Sequence, residues 1–166
     1  MKHVIASCAV LWGLPFGHKS YSKDIHGKDH IEFSLFGSHA RDGSWGVELV
    51  DELQSLVPPS ADDFLIKGLD QSIISHSVST SPTWPAHVAQ LRNKNIRRVF
   101  VGGLAFTHCV GDSAISYAKQ QFQVFVVLDA TKSVAPPYGN PEWMRNVLAL
   151  YDIQLVTLDE LLPAKQ

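Results

Sequence analysis

The chain has 166 residues, of which 45% are hydrophobic and 18% charged, a composition typical of a globular protein with one full core. Its net charge of −2 and its pI near 6.4 lack the basic surplus of proteins that bind nucleic acids or membrane surfaces. We therefore expect a single domain over residues 1–166, with no nucleic-acid partner and no membrane partner.

The two cysteines, Cys8 and Cys109, lie far apart and form no C-x-x-C pair. This spacing indicates neither a disulfide framework nor a thiolate zinc site. The apolar stretch near the N-terminus is too short to span a bilayer, and it lacks the basic start and cleavage site of a secretory signal. A cytoplasmic, reducing location, where a free thiol survives, is the expectation.

The first half of the chain has a weak secondary-structure pattern. The apolar run at residues 3–12 predicts a strand. Residues 14–44 are rich in His, Gly, Ser and Asp without periodicity, which predicts a long loop of the kind that is often functional. The following pattern predicts a helix, a short strand and a second helix, over residues 44–56, 63–68 and 83–95.

The second half alternates clearly between strand and helix patterns. The predicted order is strand, helix, strand, helix, strand, over residues 96–103, 107–121, 122–130, 142–152 and 153–161. This alternation is typical of a parallel sheet with right-handed crossovers. We predict a three-layer α/β fold with a mainly parallel sheet flanked by helices, and a ligand site beyond the carboxyl ends of the strands.

Cys109 lies where a predicted strand turns into a helix, which makes it a candidate nucleophile. The unpaired N–H groups and dipole at a helix start would stabilise its thiolate and could hold an oxyanion. Lys67 ends a predicted strand at the same edge of the sheet and could orient a substrate or lower the pKa of the thiol. The alternatives are a cysteine packed between helix and sheet, and a surface lysine that marks a strand end.

The long loop contains several histidines and aspartates that could bind a metal. Asp24 and His26 are two residues apart, so on an extended segment both side chains point the same way. His39 could complete a set of two imidazoles and one carboxylate, with positions open for water or a substrate. The alternative is a solvated polar loop with chance histidines.

Four segments together resemble the isochorismatase-like cysteine hydrolases, most closely the nicotinamidase/pyrazinamidase branch. "VFVGGLAFTHCVGDSAISYA" is similar to the G-[LV]-A-x-x-x-C-V nucleophile turn, and "DFLIKGLDQSIISHSVST" is similar to the lysine segment. "SKDIHGKDHIEF" and "SHARDGSWGVELVDEL" resemble the two metal-loop motifs. The resemblance covers most of residues 24–160.

The resemblance implies a Rossmann-like (isochorismatase-like) fold in which Cys109 attacks a small-molecule carboxamide such as nicotinamide. Ammonia leaves, and water hydrolyses the thioester. Lys67 is the implied catalytic lysine, and the N–H groups of Ala105 and Cys109 form the implied oxyanion hole beside a cis peptide between Leu104 and Ala105.

The resemblance also implies a divalent metal, either zinc or iron or manganese, that binds the pyridine nitrogen of the substrate. Its implied ligands are Asp24, His26 and His39. Leu104 and Trp45 are candidate substrate contacts. Members of the family often assemble, so a homo-oligomer is a further expectation.

The chain departs from the family at the catalytic base. The first strand of the family carries a D-x-Q motif, whose aspartate takes the proton of the cysteine, and this aspartate has no counterpart here. Only 23 residues precede Asp24, and none of them is acidic. Three accounts stay open: a shortened chain whose central strand position is vacant, an inactive relative, or a chain in which residues 4–12 fill that position. In the last case another group is the base, and His108 is the candidate.

A second alignment of the metal loop sets residues 4–7 against the preceding strand and residues 15–21 against the metal motif. We prefer the first alignment because it keeps more ligand chemistry. Ala40 and Thr107 replace the usual cysteine and acidic residue, changes that could shift the substrate preference. The functional alternatives are a hydrolase of another substrate, such as an N-carbamoyl compound or a vinyl ether, and a non-enzymatic relative.

Overall fold

The structure is a computed structural model that describes residues 2–56, 64–135 and 137–162. Within these ranges five strands form two parallel sheets, one of two strands and one of three, and helices pack against them. The predicted α/β fold with parallel strands flanked by helices is confirmed.

The strands pair in the order β1–β2 and β3–β4–β5. Their bounds are Tyr21–Asp24 (β1), Phe64–Lys67 (β2), Arg98–Leu104 (β3), Gln123–Lys132 (β4) and Gln154–Val156 (β5). The sequence pattern predicted β2 to β5 but placed β1 inside a loop. Strand β1 reads YSKD, so it lacks the apolar run by which a buried strand is recognised.

The described residues contain seven α-helices, of which the first precedes β1 and the others connect or follow the strands. They are Lys2–Gly13 (α1), Phe33–Phe36 (α2), Asp51–Gln54 (α3), Trp84–Asn93 (α4), Gly111–Lys119 (α5), Pro141–Ala149 (α6) and Leu158–Leu161 (α7). Short 3₁₀ turns lie at Trp45–Val47 and Val78–Thr80, and a π turn lies at Phe106–Val110.

The prediction of a strand at residues 3–12 is wrong, because this segment is the helix α1. A short apolar run does not distinguish a strand from a buried helix. The connection to β1 is also too short, since parallel neighbours need a crossover of a dozen or more residues and only residues 14–20 are available. Residues 4–12 therefore do not fill a strand position, and the alignment that needs residues 4–7 as a strand fails with it.

The prediction of one helix over residues 44–56 is wrong in its extent. The segment forms a 3₁₀ turn at Trp45–Val47 and the single turn α3, and the backbone is extended at Glu48 and Val50 between them. Its apolar side chains lie near α1 rather than in the main core, and the indole Nε1 of Trp12 donates to the carbonyl of Leu56 over 2.8 Å.

The core lies between the three-stranded sheet and helices α4, α5 and α6. It contains Leu65, Val78, Trp84, Val88, Leu91, Phe106, Val110, Ala114, Tyr117, Phe122, Val124, Val126, Met144, Leu148 and Ile153. Successive residues of β3 face opposite layers. Val99 and Val101 pack against this core, whereas Phe100 contacts Phe16 just beyond α1. The sheet is thus enclosed by helices on both faces.

The length and the apolar character of the helices bear on whether any of them could span a bilayer. Within the described ranges, none is both long and apolar enough to cross a membrane.

Candidate active site

Cys109 lies in the π turn that follows β3, as the strand and helix patterns predicted. The peptide bond between Leu104 and Ala105 is cis, which confirms that expectation. The carbonyl of Ala105 accepts hydrogen bonds from the N–H groups of His108 and Val110, at 3.0 and 3.1 Å. These bonds tie the cysteine turn to the end of β3.

Lys67 ends β2 and reaches the sulfur of Cys109, with 3.5 Å between Nζ and Sγ. The side chain is almost fully buried, at 2% exposure. Its ammonium also donates to the carbonyl of Ser75 over 3.0 Å and forms an ion pair with Asp24. Three protons therefore have three partners, and the structure brings together the two residues predicted as catalytic.

Asp24 is the residue whose position differs from the expectation. It ends β1 directly opposite Lys67 in the β1–β2 register, and its carboxylate pairs with the lysine ammonium. The sequence assigned Asp24 to a metal and found no carboxylate for the nucleophile. The structure instead places this carboxylate beside the lysine that touches Cys109.

Burial and charge set the protonation of this cluster. Burial acts to lower the pKa of Lys67, but Cys109 and Asp24 outweigh it, so the pKa lies above its usual value. Burial raises the pKa of Cys109; Lys67 opposes this effect and Asp24 adds to it, and the net pKa lies above that of an ordinary thiol. The predicted thiolate is therefore not the resting form at neutral pH, and the thiol needs a proton acceptor.

A second cluster joins two of the predicted metal ligands to an acid that the sequence analysis did not select. Ligand atoms of His26, Glu32 and His39 all lie within 4.8 Å of one another. Glu32 Oε2 is 3.7 Å from His26 Nε2 and 3.6 Å from His39 Nε2. Glu32, rather than Asp24, is the carboxylate that faces both imidazoles.

The ring orientations fit a divalent cation. Nδ1 of His26 lies 3.3 Å from the carbonyl of Gly68, and Nδ1 of His39 lies 2.8 Å from the carbonyl of Gly37. A carbonyl accepts only from N–H, so in the neutral rings Nε2 carries the lone pair that a metal needs. His26 Nε2 is buried without a hydrogen-bond partner among the described residues.

The separations between the three ligand atoms and the charge of Glu32 also fit a divalent cation. Metal–ligand distances of 2.0–2.2 Å in a tetrahedral zinc site put neighbouring ligand atoms about 3.4 Å apart, close to the separations from Glu32. Burial acts to raise the pKa of Glu32, but the hydrogen bond from the Ser75 N–H and the nearby imidazoles outweigh it and lower the pKa. Glu32 is thus an anion, the form in which a carboxylate binds a metal.

His30 belongs to the neighbourhood but not to this ligand set. Its Nδ1 accepts a hydrogen bond from the backbone N–H of Glu32 over 3.2 Å. The neutral ring then carries its proton on Nε2, which cannot bind a metal in that form. The ring packs 4.0 Å from that of His26, centroid to centroid, and supports it.

Aromatic rings form the outer wall of the site. The ring of Phe36 lies 5.4 Å from His108, 5.6 Å from His76 and 6.4 Å from Tyr138. Phe36 and Tyr138 are 37% and 59% exposed, so their faces are open to a ligand. The sequence analysis did not select Phe36, His76 or Tyr138, because no local pattern places them beside Cys109.

The remaining predicted residues divide between the site and the surface. His108 contacts Phe36 and His76 and pairs with Thr107 at 3.0 Å, which directs its ring to the aromatic wall. Burial, followed by His76, lowers its pKa. Leu104, 47% exposed, lies at the end of β3 beside the cysteine turn, whereas Trp45 is 90% exposed and makes no ring contact with the described residues.

Comparison with known proteins identifies the fold. No protein-family model and no curated protein matches the chain. A solved Acinetobacter baumanii nicotinamidase/pyrazinamidase is 22% identical, with a TM-score of 0.83 over 97% of this chain and 86% of that one. Yeast nicotinamidase bound to the inhibitor nicotinaldehyde is 19% identical, with a TM-score of 0.82 over 94% and 88%.

A third solved structure, the pyrazinamidase of Pyrococcus horikoshii in complex with zinc, is 23% identical, with a TM-score of 0.65 over 82% of this chain and 73% of that one. The chain therefore has the fold of the isochorismatase-like hydrolases, as the sequence resemblance implied.

Proposed function

We propose that this protein is an isochorismatase-like cysteine hydrolase of the nicotinamidase type, which converts a heteroaromatic carboxamide such as nicotinamide or pyrazinamide into the acid and ammonia. The observation that carries the proposal is the buried contact of Lys67 with both Cys109 and Asp24. A nucleophile, a cation and a carboxylate meet there at the carboxyl ends of parallel strands.

In the proposed mechanism Asp24 is the base that the sequence lacked. Its carboxylate takes the proton of the Cys109 thiol, and the sulfur attacks the amide carbon while the carbonyl electrons move to oxygen. Lys67 stays cationic, because its pKa is raised, and it stabilises the sulfur anion before the new bond forms. Because the pKa of Cys109 is raised, its thiol needs a proton acceptor in the site, and Asp24 would supply one.

The carbonyl then re-forms, the carbon–nitrogen bond breaks, and Asp24 returns its proton to the departing nitrogen, which leaves as ammonia. Water attacks the thioester with Asp24 as the base, the carbon–sulfur bond breaks, and the acid is released with the thiol restored. The N–H groups of Ala105 and Cys109 are the proposed donors to the oxygen anion of each tetrahedral intermediate.

The second cluster and the aromatic wall would recognise the ring of the substrate. We assign His26, Glu32 and His39 as the residues that hold a divalent metal, in place of the predicted set with Asp24. A bound metal would supply a Lewis-acid position for a ring nitrogen. Phe36 and Tyr138 offer the apolar ring faces beside it.

Ammonia release tests the proposal directly. The protein is dialysed against chelator, reloaded with Zn²⁺ or Fe²⁺, and incubated with nicotinamide, pyrazinamide or benzamide, the last of which lacks the ring nitrogen. We expect release from the first two amides and little from benzamide. The Cys109→Ala variant should release none, whereas the matched Cys8→Ala variant, altered at the other cysteine, should be as active as the unaltered protein.

Two other results would count against parts of the proposal. Release that needs Cys109 but no metal, and that favours an N-carbamoyl compound, would keep the hydrolase and remove the nicotinamidase assignment. A folded protein that releases no ammonia from any amide would remove the function altogether.

A further inference from the structure

Hydrogen bonds join residues 26–32, which carry two of the assigned metal ligands, to residues 67–75, which begin at the catalytic lysine. The bonds run from the Asp29 N–H to the Gln71 side chain over 3.2 Å, from the Ile31 N–H to the Gln71 carbonyl over 2.9 Å, and from the Ser75 N–H to Glu32 over 2.6 Å, while His26 Nδ1 lies 3.3 Å from the Gly68 carbonyl. The assigned metal cluster and the catalytic cluster are therefore attached to each other.

The two oxygens of the Glu32 carboxylate have different neighbours. Oε1 accepts the hydrogen bond from the Ser75 N–H, whereas Oε2 lies 3.7 Å from Nε2 of His26 and 3.6 Å from Nε2 of His39. Glu32 and Ser75 are both almost fully buried. A hydrogen bond to an ionised group is about twice as strong as one between neutral groups, and burial strengthens it further. One buried carboxylate is thus shared between the assigned metal site and the backbone of Ser75.

Ser75 also contacts the catalytic lysine. Its carbonyl accepts from Nζ of Lys67 over 3.0 Å, and the same Nζ lies 3.5 Å from the sulfur of Cys109. Ser75 lies outside the helices and strands, so no regular ladder fixes its position. Its Oγ is buried and has no hydrogen-bond partner among the described residues. The backbone of Ser75, rather than its hydroxyl, therefore connects Glu32 with Lys67.

The orientation of the Glu32 carboxylate depends on what joins it to the imidazoles. The neutral rings present Nε2 lone pairs to Oε2, and a carboxylate has no proton to donate to them. These three atoms repel one another unless a cation joins them. A divalent cation would replace the repulsion by bonds to all three, and it would fix the carboxylate in the orientation in which Oε1 meets the Ser75 N–H.

We propose that Ser75 is a positioning residue through which a divalent cation at the Glu32 cluster increases the reactivity of Cys109. The cation fixes Glu32, Glu32 fixes Ser75, and the Ser75 carbonyl keeps Lys67 at the sulfur, where the ammonium stabilises the thiolate. The inference rests on the metal and lysine assignments of the proposed function, and not on the turnover of an amide.

The charge of a cation acts in the same direction. The pKa of Cys109 is raised chiefly by burial, and Glu32 adds to this effect. A cation bound to Glu32 offsets that negative charge and so favours the thiolate, which is the reactive form.

Alkylation of Cys109 tests the inference in a Cys8→Ala background. The rate of reaction with iodoacetamide is measured by mass spectrometry at pH 7.5, on protein dialysed against chelator, before and after addition of one equivalent of Zn²⁺. A chromogenic chelator reports how much zinc is bound. We expect bound zinc to accelerate alkylation by about fivefold or more, the lower end of the usual coupling between two sites.

Two variants at Ser75 separate the backbone contact from the side chain. Ser75→Pro removes the N–H that Glu32 accepts, and Ser75→Ala is the matched control, because the hydroxyl has no partner. Zinc should accelerate alkylation of the alanine variant as it does in the unaltered protein, and it should have little effect on the proline variant. The comparison is made within each variant, with and without zinc, and circular dichroism and the thermal midpoint report that each one is folded.

Amide exchange at Ser75, followed by NMR, needs no folded proline variant. Zinc should slow the exchange of this amide by about fivefold or more, because the carboxylate that accepts its proton is fixed. The amide of Val126, buried in β4, is the reference and should not change.

Three results would overturn the inference while zinc is bound. They are alkylation of Cys109 that is unchanged or slower, equal acceleration in a folded Ser75→Pro variant, and unchanged exchange at the Ser75 amide. A protein that binds no zinc would overturn both the inference and the metal assignment. Failure to release ammonia, in contrast, would remove the proposed function and leave these three measurements as they are.

Discussion

Lys67 connects the two carboxylate assignments that the sequence left unresolved. Its ammonium contacts Asp24, Ser75 and Cys109, so the carboxylate on β1 pairs with the lysine that reaches the proposed nucleophile. Glu32 then remains as the anion between His26 and His39. At the scale of single residues, this division of two acids between two tasks can be tested by removing one charge at a time.

The Asp24→Asn variant should separate the reactivity of the thiol from turnover. Asp24 raises the pKa of Cys109, so its neutralisation lowers that pKa and increases the thiolate fraction at pH 7.5. We expect Cys109 to react with iodoacetamide measurably faster at this pH, because the thiolate is the reactive form. Ammonia release should fall by about 100-fold, the usual contribution of a general base.

The measurement is mass-spectrometric alkylation against pH, in a Cys8→Ala background so that only one thiol reports. Asp29→Asn, an exposed acid of the same loop, is the matched control and should change neither rate. Slower alkylation of the Asp24→Asn variant would contradict the proposed charge arrangement.

The Glu32→Gln variant should lose metal affinity while Asp24→Asn keeps it. A glutamine retains an oxygen that can accept from the Ser75 N–H but removes the negative charge between His26 and His39. We expect zinc affinity to fall by roughly 100-fold, at or above the 10- to 100-fold typical of outer-shell partners. Competition with a chromogenic chelator measures it. Loss of zinc in Asp24→Asn instead would restore the ligand set first predicted from the sequence.

At the scale of elements, the cysteine turn depends on how closely α5 approaches α6. Gly111 begins α5, and Met144 of α6, 1% exposed, packs against it. A Cβ at Gly111 would lie 2.6 Å from the Met144 methyl and 2.9 Å from the carbonyl oxygen of Phe106, inside the normal contact distance for both. The glycine therefore lets the two helices and the cysteine turn meet.

The Gly111→Ala substitution should lower the free energy of unfolding by about 1–3 kcal/mol, the usual cost of overpacking. Urea unfolding followed by circular dichroism measures the change. Gly13→Ala is the matched control, because nothing lies within 4 Å of a Cβ at that position of α1, and it should be close to neutral. Equal stability of the two variants would show that α6 moves aside without cost.

Considered as a whole, the molecule buries several groups whose proton affinity is raised by folding. The pKa values of Cys8, Cys109 and Tyr117 are all raised chiefly by burial, and that of Lys67 is raised by its two charged neighbours against the effect of burial. A raised pKa means that folding favours the protonated form. The stabilisation is complete below the pKa of the unfolded chain and is lost as the pH rises towards that of the folded state.

We therefore expect the free energy of unfolding to fall steadily as the pH rises from about 9, the ordinary cysteine value, to above 10.5, the ordinary lysine value. Urea unfolding at pH 8, 9.5 and 11 measures it. The Cys109→Ala variant should show a smaller decrease between pH 8 and 9.5, because one titrating thiol is gone. A flat profile up to pH 11 would contradict the burial of these groups.

The sequence by itself determined the α/β architecture, four of the five strands that the described ranges contain, and the position of Cys109 between β3 and the following helix. These features follow from local pattern, because buried strands are apolar runs and amphipathic helices repeat every three to four residues. Lys67 was predictable for the same reason, as the last residue of an apolar strand.

Only the tertiary structure decided what the local pattern leaves open. The apolar run of α1 is compatible with a strand or with a buried helix. Residues 14–20 are too few for a crossover between parallel strands, which excludes a strand beside β1. Asp24, which spacing suggested as a metal ligand, instead pairs with Lys67, because β1 pairs with β2 and places the two residues opposite each other. Glu32, which spacing did not suggest, lies between His26 and His39. The ion pair and the imidazole orientations both join residues distant in the chain. Such contacts depend on how the sheets are arranged, and spacing along a sequence does not record that arrangement.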